Sequence, residues 1–163
     1  IPSLRKTAEE VRAAGSRLSV ILWHGGHNVG HRRGYPALAP SPIPSPTFRE
    51  TPKAMTTIEI REVVRAYAEA ARRCREAGID LIEVQTATDY LLGSFLSPTL
   101  NRRRDAYGGT LEKRSRIVQE VLEAVREAAG DGLAVGVRTS AAHLIAGDPN
   151  DYGVDASSEA MSS

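Results

Sequence analysis

Three groups of residues have types and spacing that could do chemistry. The first is Trp23-His24 with His27 and His31 just beyond. The second is Gln85, Thr88, Asp89 and Tyr90. The third is Arg138. Neutral imidazoles are common zinc and iron ligands, so His24, His27 and His31 could form a metal cluster of the kind used by metal-dependent hydrolases. No carboxylate accompanies them in the same stretch, and histidines that pack a loop or touch a substrate account for the pattern better. A tyrosine can pass a proton to a reacting carbon. An arginine offers a permanent positive charge to an anionic group. No lysine lies near these groups, since Lys6, Lys53 and Lys113 fall elsewhere. A Schiff-base mechanism therefore lacks its nucleophile here.

The elements that must position these groups can be read from the pattern. Thr7-Ala8-Glu9-Glu10 reads as a capping box that opens a short helix stopping at Gly15. Residues 18–23 form a mostly apolar run without helical spacing, which predicts a buried strand. Residues 24–56 hold most of the Gly and Pro punctuation and read as one long functional loop. Thr56-Thr57-Ile58-Glu59 is a second capping box, opening a helix with Ile60, Val63, Val64, Tyr67, Ala71 and Cys74 at three- and four-residue steps. Gly78 ends it, and residues 80–84 predict the next strand. A third helix is expected from Thr110 to Gly130, then a strand over 133–137 that delivers Arg138.

Helices alternating with strands predict right-handed crossovers and a parallel sheet. No GxGxxG follows any strand, so a dinucleotide-binding sheet is disfavoured. The wide strand spacing suits a (β/α)8 barrel, whose site lies at the strand C-terminal ends. Three strands cannot close a barrel of typically ~250 residues. The expected fold is therefore α/β, a partial (β/α)8 TIM barrel. The start on Ile1 and the end at Ser163 fit a piece of something longer.

Composition narrows the classes. The chain has 163 residues, 25% charged and 41% hydrophobic, which suits a globular protein. Lys plus Arg is 21 and Asp plus Glu is 20, giving a net charge of +1, which argues against nucleic-acid and membrane-surface partners. No window is apolar for the ~20 residues a membrane span needs, and the opening IPSLRKTAEE lacks the apolar core of a secretion signal. The one cysteine, Cys74, is at an apolar helical position and reads as a buried thiol. A cytoplasmic home is expected.

The most informative stretch is FLSPTLNRRRDAYGGTLEKRSR, residues 95–116. Gly108-Gly109 permits a tight turn, and Thr110 can cap the helix that follows. Asn101 and Asp105 can satisfy backbone N–H groups, and the arginines can pair with Asp105 and Glu112. This stretch resembles the FL.P..N.R.D.YGGS.ENR.R segment of the old yellow enzyme family of flavin-dependent oxidoreductases. LWHGG, PKAMT, EAGIDLIEV and VGVRTS resemble further family segments in the same order and spacing, over nearly all of residues 1–145.

The resemblance implies an FMN-binding barrel, with residues 1–163 its central part, about strands three to five, and no complete domain. It implies that Arg138 lies against the N1/O2 edge of the flavin. Tyr90 matches the proton donor, and Trp23 an aromatic wall of the substrate pocket. Ile21 stands where the family carries a flavin-contacting glutamine. Gln85 and Thr88 stand where it carries an H-x-x-H or H-x-x-N pair that holds a substrate carbonyl; neither can be cationic. The segments PKAMT and SAAHLIAGDPNDYGVD are similar to the long branch that includes trimethylamine dehydrogenase-like and dienoyl-CoA reductase-like enzymes. The resemblance implies hydride transfer to or from a small molecule, by alkene or enone reduction or by N-methyl amine oxidation, with NAD(P)H or another redox partner. It also implies an iron–sulfur cluster in further domains and a homo-oligomeric whole protein. An inactive barrel remnant is the remaining alternative, and the isolated piece is expected to be inactive.

Overall fold

The computed structural model describes residues 1–29, 34–45 and 48–140. His31 and the segment from residue 141 onward, with most of the SAAHLIAGDPNDYGVD match, lie outside the described residues. The elements in chain order are α1 (Pro2–Ala13), β1 (Ser19–Leu22), a 3₁₀ turn (Gly26–Val29), β2 (Leu38–Ala39), β3 (Lys53–Ala54), α2 (Thr57–Ala77), β4 (Leu81–Gln85), α3 (Leu91–Leu96), α4 (Leu111–Ala129) and β5 (Ala134–Arg138). The chain divides into two compact units. Among the described residues, one comprises residues 1–23, 56–85 and 118–138, the other residues 24–29, 34–45, 48–55, 86–117 and 139–140.

The first unit is the regular one. Its sheet has the order β1-β4-β5, parallel throughout. The helices begin and end where local chemistry dictates. Thr56 caps α2 with its side chain on the Glu59 N–H, while the Glu59 carboxylate accepts from the Thr56 N–H at 2.8 Å. Gly78 closes α2 at φ +76°, a left-handed conformation that costs glycine nothing. α1 departs from the expected start. It begins at Pro2, and Thr7 lies inside it with its hydroxyl donating to the Ser3 carbonyl. Proline at the first helical turn is a sufficient start, so the Thr7 capping box does not form.

Alternation along β4 separates two sheet faces. Ile82 and Val84 are fully buried, in a core that also holds Ile60, Val63, Ala71 and Cys74 of α2 and Val121, Val125 and Ala129 of α4. Cys74 is buried as expected, and burial pushes its thiol up, out of the reactive range. The opposite face of the sheet carries Ile21 and Trp23, 42% and 54% exposed. Asp80 joins the starts of β1 and β4, accepting from the Leu18 N–H at 3.0 Å and from Arg17 at 3.1 Å.

The second unit is irregular, and it buries polar groups beside an apolar core of Leu91, Leu92, Phe95 and Ile117. His27, Ser41, Ser45, Thr86, Ser94, Ser97, Asn101 and Arg114 are all buried in it. The expected single loop over residues 24–56 contains the 3₁₀ turn and a short parallel ladder between β2 and β3. α3 was not expected either. Its six residues are too few to show a period.

The 95–116 stretch is packed as its polar residues suggest. Asn101 Nδ2 donates to the Phe95 and Tyr107 carbonyls at 2.7 and 2.8 Å, and Oδ1 accepts from the Arg103 N–H at 3.1 Å. The Arg103 guanidinium binds the Asp105 carboxylate at 2.6 Å and donates to the Pro40 and Met55 carbonyls at 3.0 and 2.6 Å. Asp105 accepts from the Tyr107 N–H at 3.1 Å. Arg114 donates to the Leu96 carbonyl at 2.7 Å and to the Gly109 carbonyl.

Candidate active site

In the first unit, the parallel register sets two rows across the open sheet face. Ile21, Glu83 and Gly136 share one level. Gln85 and Arg138 are partners one level nearer the strand C-terminal ends, and Trp23 directly follows β1 on that side. The structure thus brings Ile21, Trp23, Gln85 and Arg138 onto a single face.

Their chemistry differs along the face. Arg138 Nε donates to Glu83 Oε2 at 3.0 Å, and its side chain is 51% exposed. Gln85 Oε1 is buried and has no hydrogen-bond partner among the described residues. A buried amide oxygen of this kind wants a donor. Ile21 offers only apolar surface.

Thr88 and Tyr90 belong to the second unit. Thr88 is exposed and takes φ +60°, a strained conformation for a β-branched residue that costs on the order of 1–3 kcal/mol. Its carbonyl rests on Gly93, where any Cβ would collide with it. Tyr90 is half-buried at the N-cap of α3, and its carbonyl accepts from the Ser94 N–H at 2.7 Å. The loop carrying Tyr90 is tied to the segment after β1. The Leu91 N–H donates to the His24 carbonyl at 3.0 Å, and Gly26 passes so close that an added Cβ would lie 2.9 Å from the Leu91 nitrogen.

His24 and His27 serve this loop. His24 Nδ1 accepts from the Gly26 N–H at 3.1 Å, and burial pushes its pKa down. His27 is 2% exposed, with Nδ1 3.3 Å from the Ile43 carbonyl and Nε2 3.5 Å from Asp89 Oδ2. That is an ion-pair distance, long for a hydrogen bond. Among the described residues no group of three or more His, Cys, Asp or Glu could hold a metal ion. Sequence reasoning listed Asp89 without its partner, since nothing local pairs it with His27.

Asp89 yields a pH prediction. Burial pushes its carboxyl up, but contacts from His27, Asn28 and its own N–H outweigh this and hold it below 3.8. A depressed folded value stabilises the fold fully above the unfolded value and is lost as pH falls through the lower folded one. Asp89→Asn is expected to cost about 1–2 kcal/mol at neutral pH. It should also flatten the loss of stability below about pH 4. Urea midpoints measured across the acid range check both; parallel curves for the two proteins would refute it.

The parallel sheet agrees with the resemblance. The sequence profile of the NADH:flavin oxidoreductase / NADH oxidase family matches residues 1–161. The chain belongs to this family. An NADPH dehydrogenase from Geobacillus sp. is 39% identical over 88% of this chain and 42% of its own length. A multifunctional alkene reductase/demethylase from Caballeronia cordobensis is 37% identical over 85% of this chain and 21% of its own. Among solved structures, morphinone reductase in complex with tetrahydroNAD superposes with a TM-score of 0.78 at 34% identity, covering 83% of this chain and 42% of that one. The chain thus spans well under half the length of these members of the NADH:flavin oxidoreductase family. Its fold is a partial α/β barrel. No described helix is long and apolar enough to cross a membrane.

Arg138 fits FMN in kind, supplying a positive charge on this face, beside which Gln85 offers a buried oxygen wanting a donor and Trp23 an exposed aromatic surface.

Proposed function

We propose that the protein containing this chain is an FMN-dependent oxidoreductase moving hydride between the flavin and a small organic substrate, with NAD(P)H as electron donor. Residues 1–163 are read as the central part of its barrel. The observation that carries this reading is the row of Trp23, Gln85, whose oxygen has no partner among the described residues, and Arg138 on the open sheet face. Bound FMN would supply the hydride chemistry. Arg138 would hold positive charge at the ring edge where negative charge accumulates on reduction. Gln85 and Thr88 would orient the substrate by hydrogen bonds, without the charge an imidazolium can add. Trp23 would exclude water, and Ile21 would leave the flavin one polar contact short. Tyr90 would deliver a proton to the substrate carbon in alkene reduction and would be pocket wall in N-methyl amine oxidation. The lone buried thiol supports a reducing, cytoplasmic home, and the whole protein is proposed to be a homo-oligomer.

The test is the visible absorption spectrum of the protein containing this chain, with release of the chromophore. A flavin band releasing as FMN is expected. Arg138→Ala should then weaken FMN binding roughly 10–100-fold, the loss of one charge-assisted hydrogen bond. It should barely change the unfolding midpoint, since a half-exposed ion pair contributes little stability. A colourless protein that stays colourless with added FMN would overturn the reading.

A further inference from the structure

We propose that Glu83 is a positioning residue for Arg138, and that its carboxylate sets how much positive charge Arg138 presents to the flavin. This rests on the reading of Arg138 as a flavin contact. The geometry begins with the register, which puts Glu83 opposite Gly136 and Gln85 opposite Arg138. Gly136 has no side chain, and the nearest atoms to a Cβ there would be Leu81 Cδ1 at 3.8 Å and the Ile82 carbonyl oxygen at 3.9 Å. From its place opposite Gln85 the Arg138 side chain reaches back diagonally across the strand pair to Glu83. Its Nε donates to Glu83 Oε2 at 3.0 Å. The other carboxylate oxygen, Oε1, accepts from the Ser19 hydroxyl at 3.4 Å. The carboxylate is therefore held from both neighbouring strands, and its side chain is 24% exposed, against 51% for Arg138.

Stability does not explain a glutamate here. Glutamate is disfavoured within strands, and a partly exposed ion pair contributes little. Two physical effects remain. The contact fixes the guanidinium in one orientation. The negative charge also offsets part of the field Arg138 projects, and it does so most strongly where solvent is excluded. A flavin beside Arg138 would then be less easily reduced than beside an unpaired arginine.

The experiment is a reduction potential and FMN affinity series on the flavin-loaded protein containing this chain. Glu83→Gln keeps size and a hydrogen-bond acceptor while removing the charge. It is expected to raise the reduced-to-oxidised flavin ratio at a fixed potential about tenfold, which is about 30 mV for a two-electron couple. Arg138→Ala is expected to lower the potential, and adding Glu83→Gln to it should produce less than half the shift seen alone. Glu83→Asp keeps the charge but shortens the reach to Nε. It should shift the potential less than Glu83→Gln and weaken FMN binding, and it serves if Glu83→Gln does not fold. An unchanged potential in Glu83→Gln, with Arg138→Ala still lowering it, overturns the role of Glu83 and leaves the flavin reading standing. An Arg138→Ala protein with unchanged potential and FMN affinity overturns both. Wild-type potential and affinity in Glu83→Asp overturn the positioning role.

Discussion

Tyr90→Phe is expected to slow alkene reduction ~10²–10⁴-fold, the usual contribution of a positioned general acid. Reduction of the bound flavin by NAD(P)H should be unchanged. The backbone argues that the variant folds. Tyr90 sits at the N-cap of α3 with no side-chain cap bond, and the Ser94 N–H binds its carbonyl, which phenylalanine keeps. Stopped-flow measurement of the two half-reactions separates the effects. Equal slowing of both would remove Tyr90 as proton donor. The same variant distinguishes the two candidate reactions. If the substrate is an N-methyl amine, no proton is delivered to carbon, and Tyr90→Phe should leave its oxidation nearly intact.

Asn101→Ala is expected to destabilise the fold by about 3–5 kcal/mol. The side chain is 4% exposed and serves three backbone groups, the Phe95 and Tyr107 carbonyls and the Arg103 N–H. Truncation leaves all three without their partner in a place with little access to water. The Arg103 N–H is one of them, and the Arg103 side chain carries the contacts to Asp105, Pro40 and Met55. The loss should therefore spread through the second unit. A shift in urea midpoint at constant slope checks the size. A cost below about 1 kcal/mol would mean that water or a shifted backbone satisfies the three groups.

Membership of the family and the alternation of strand and helix were legible in the residues. The 95–116 stretch carries its own local logic, because Asn101, Asp105 and Gly109 bond or turn within a few residues of themselves. The same locality made the α2 start and stop readable, at Thr56–Glu59 and Gly78. It misled at Thr7, where a capping box pattern lies inside a helix that Pro2 had already begun. α3, β2 and β3 were not legible, being too short for any period to appear.

The candidate site divides in the same way. The identities of Trp23, Gln85, Tyr90 and Arg138 could be picked out by their places at strand ends. The meaning of Ile21, as an apolar residue in place of a polar contact, came only from the resemblance. Glu83 was passed over altogether, since a lone glutamate in a strand carries no signal until its opposite neighbours are known.

By itself the sequence determined the order of the long helices and the three sheet strands, their glycine stops and the motif that names the family, because each depends on residues within a turn or two of one another. The tertiary structure alone decided which groups meet. The Glu83–Arg138 pair joins residues 55 apart, and Arg103 reaches Pro40 across 63. It also decided that His27 faces Asp89. Such contacts follow from strand register and loop packing, and register is set by the whole buried face of a sheet, not by any residue's immediate neighbours.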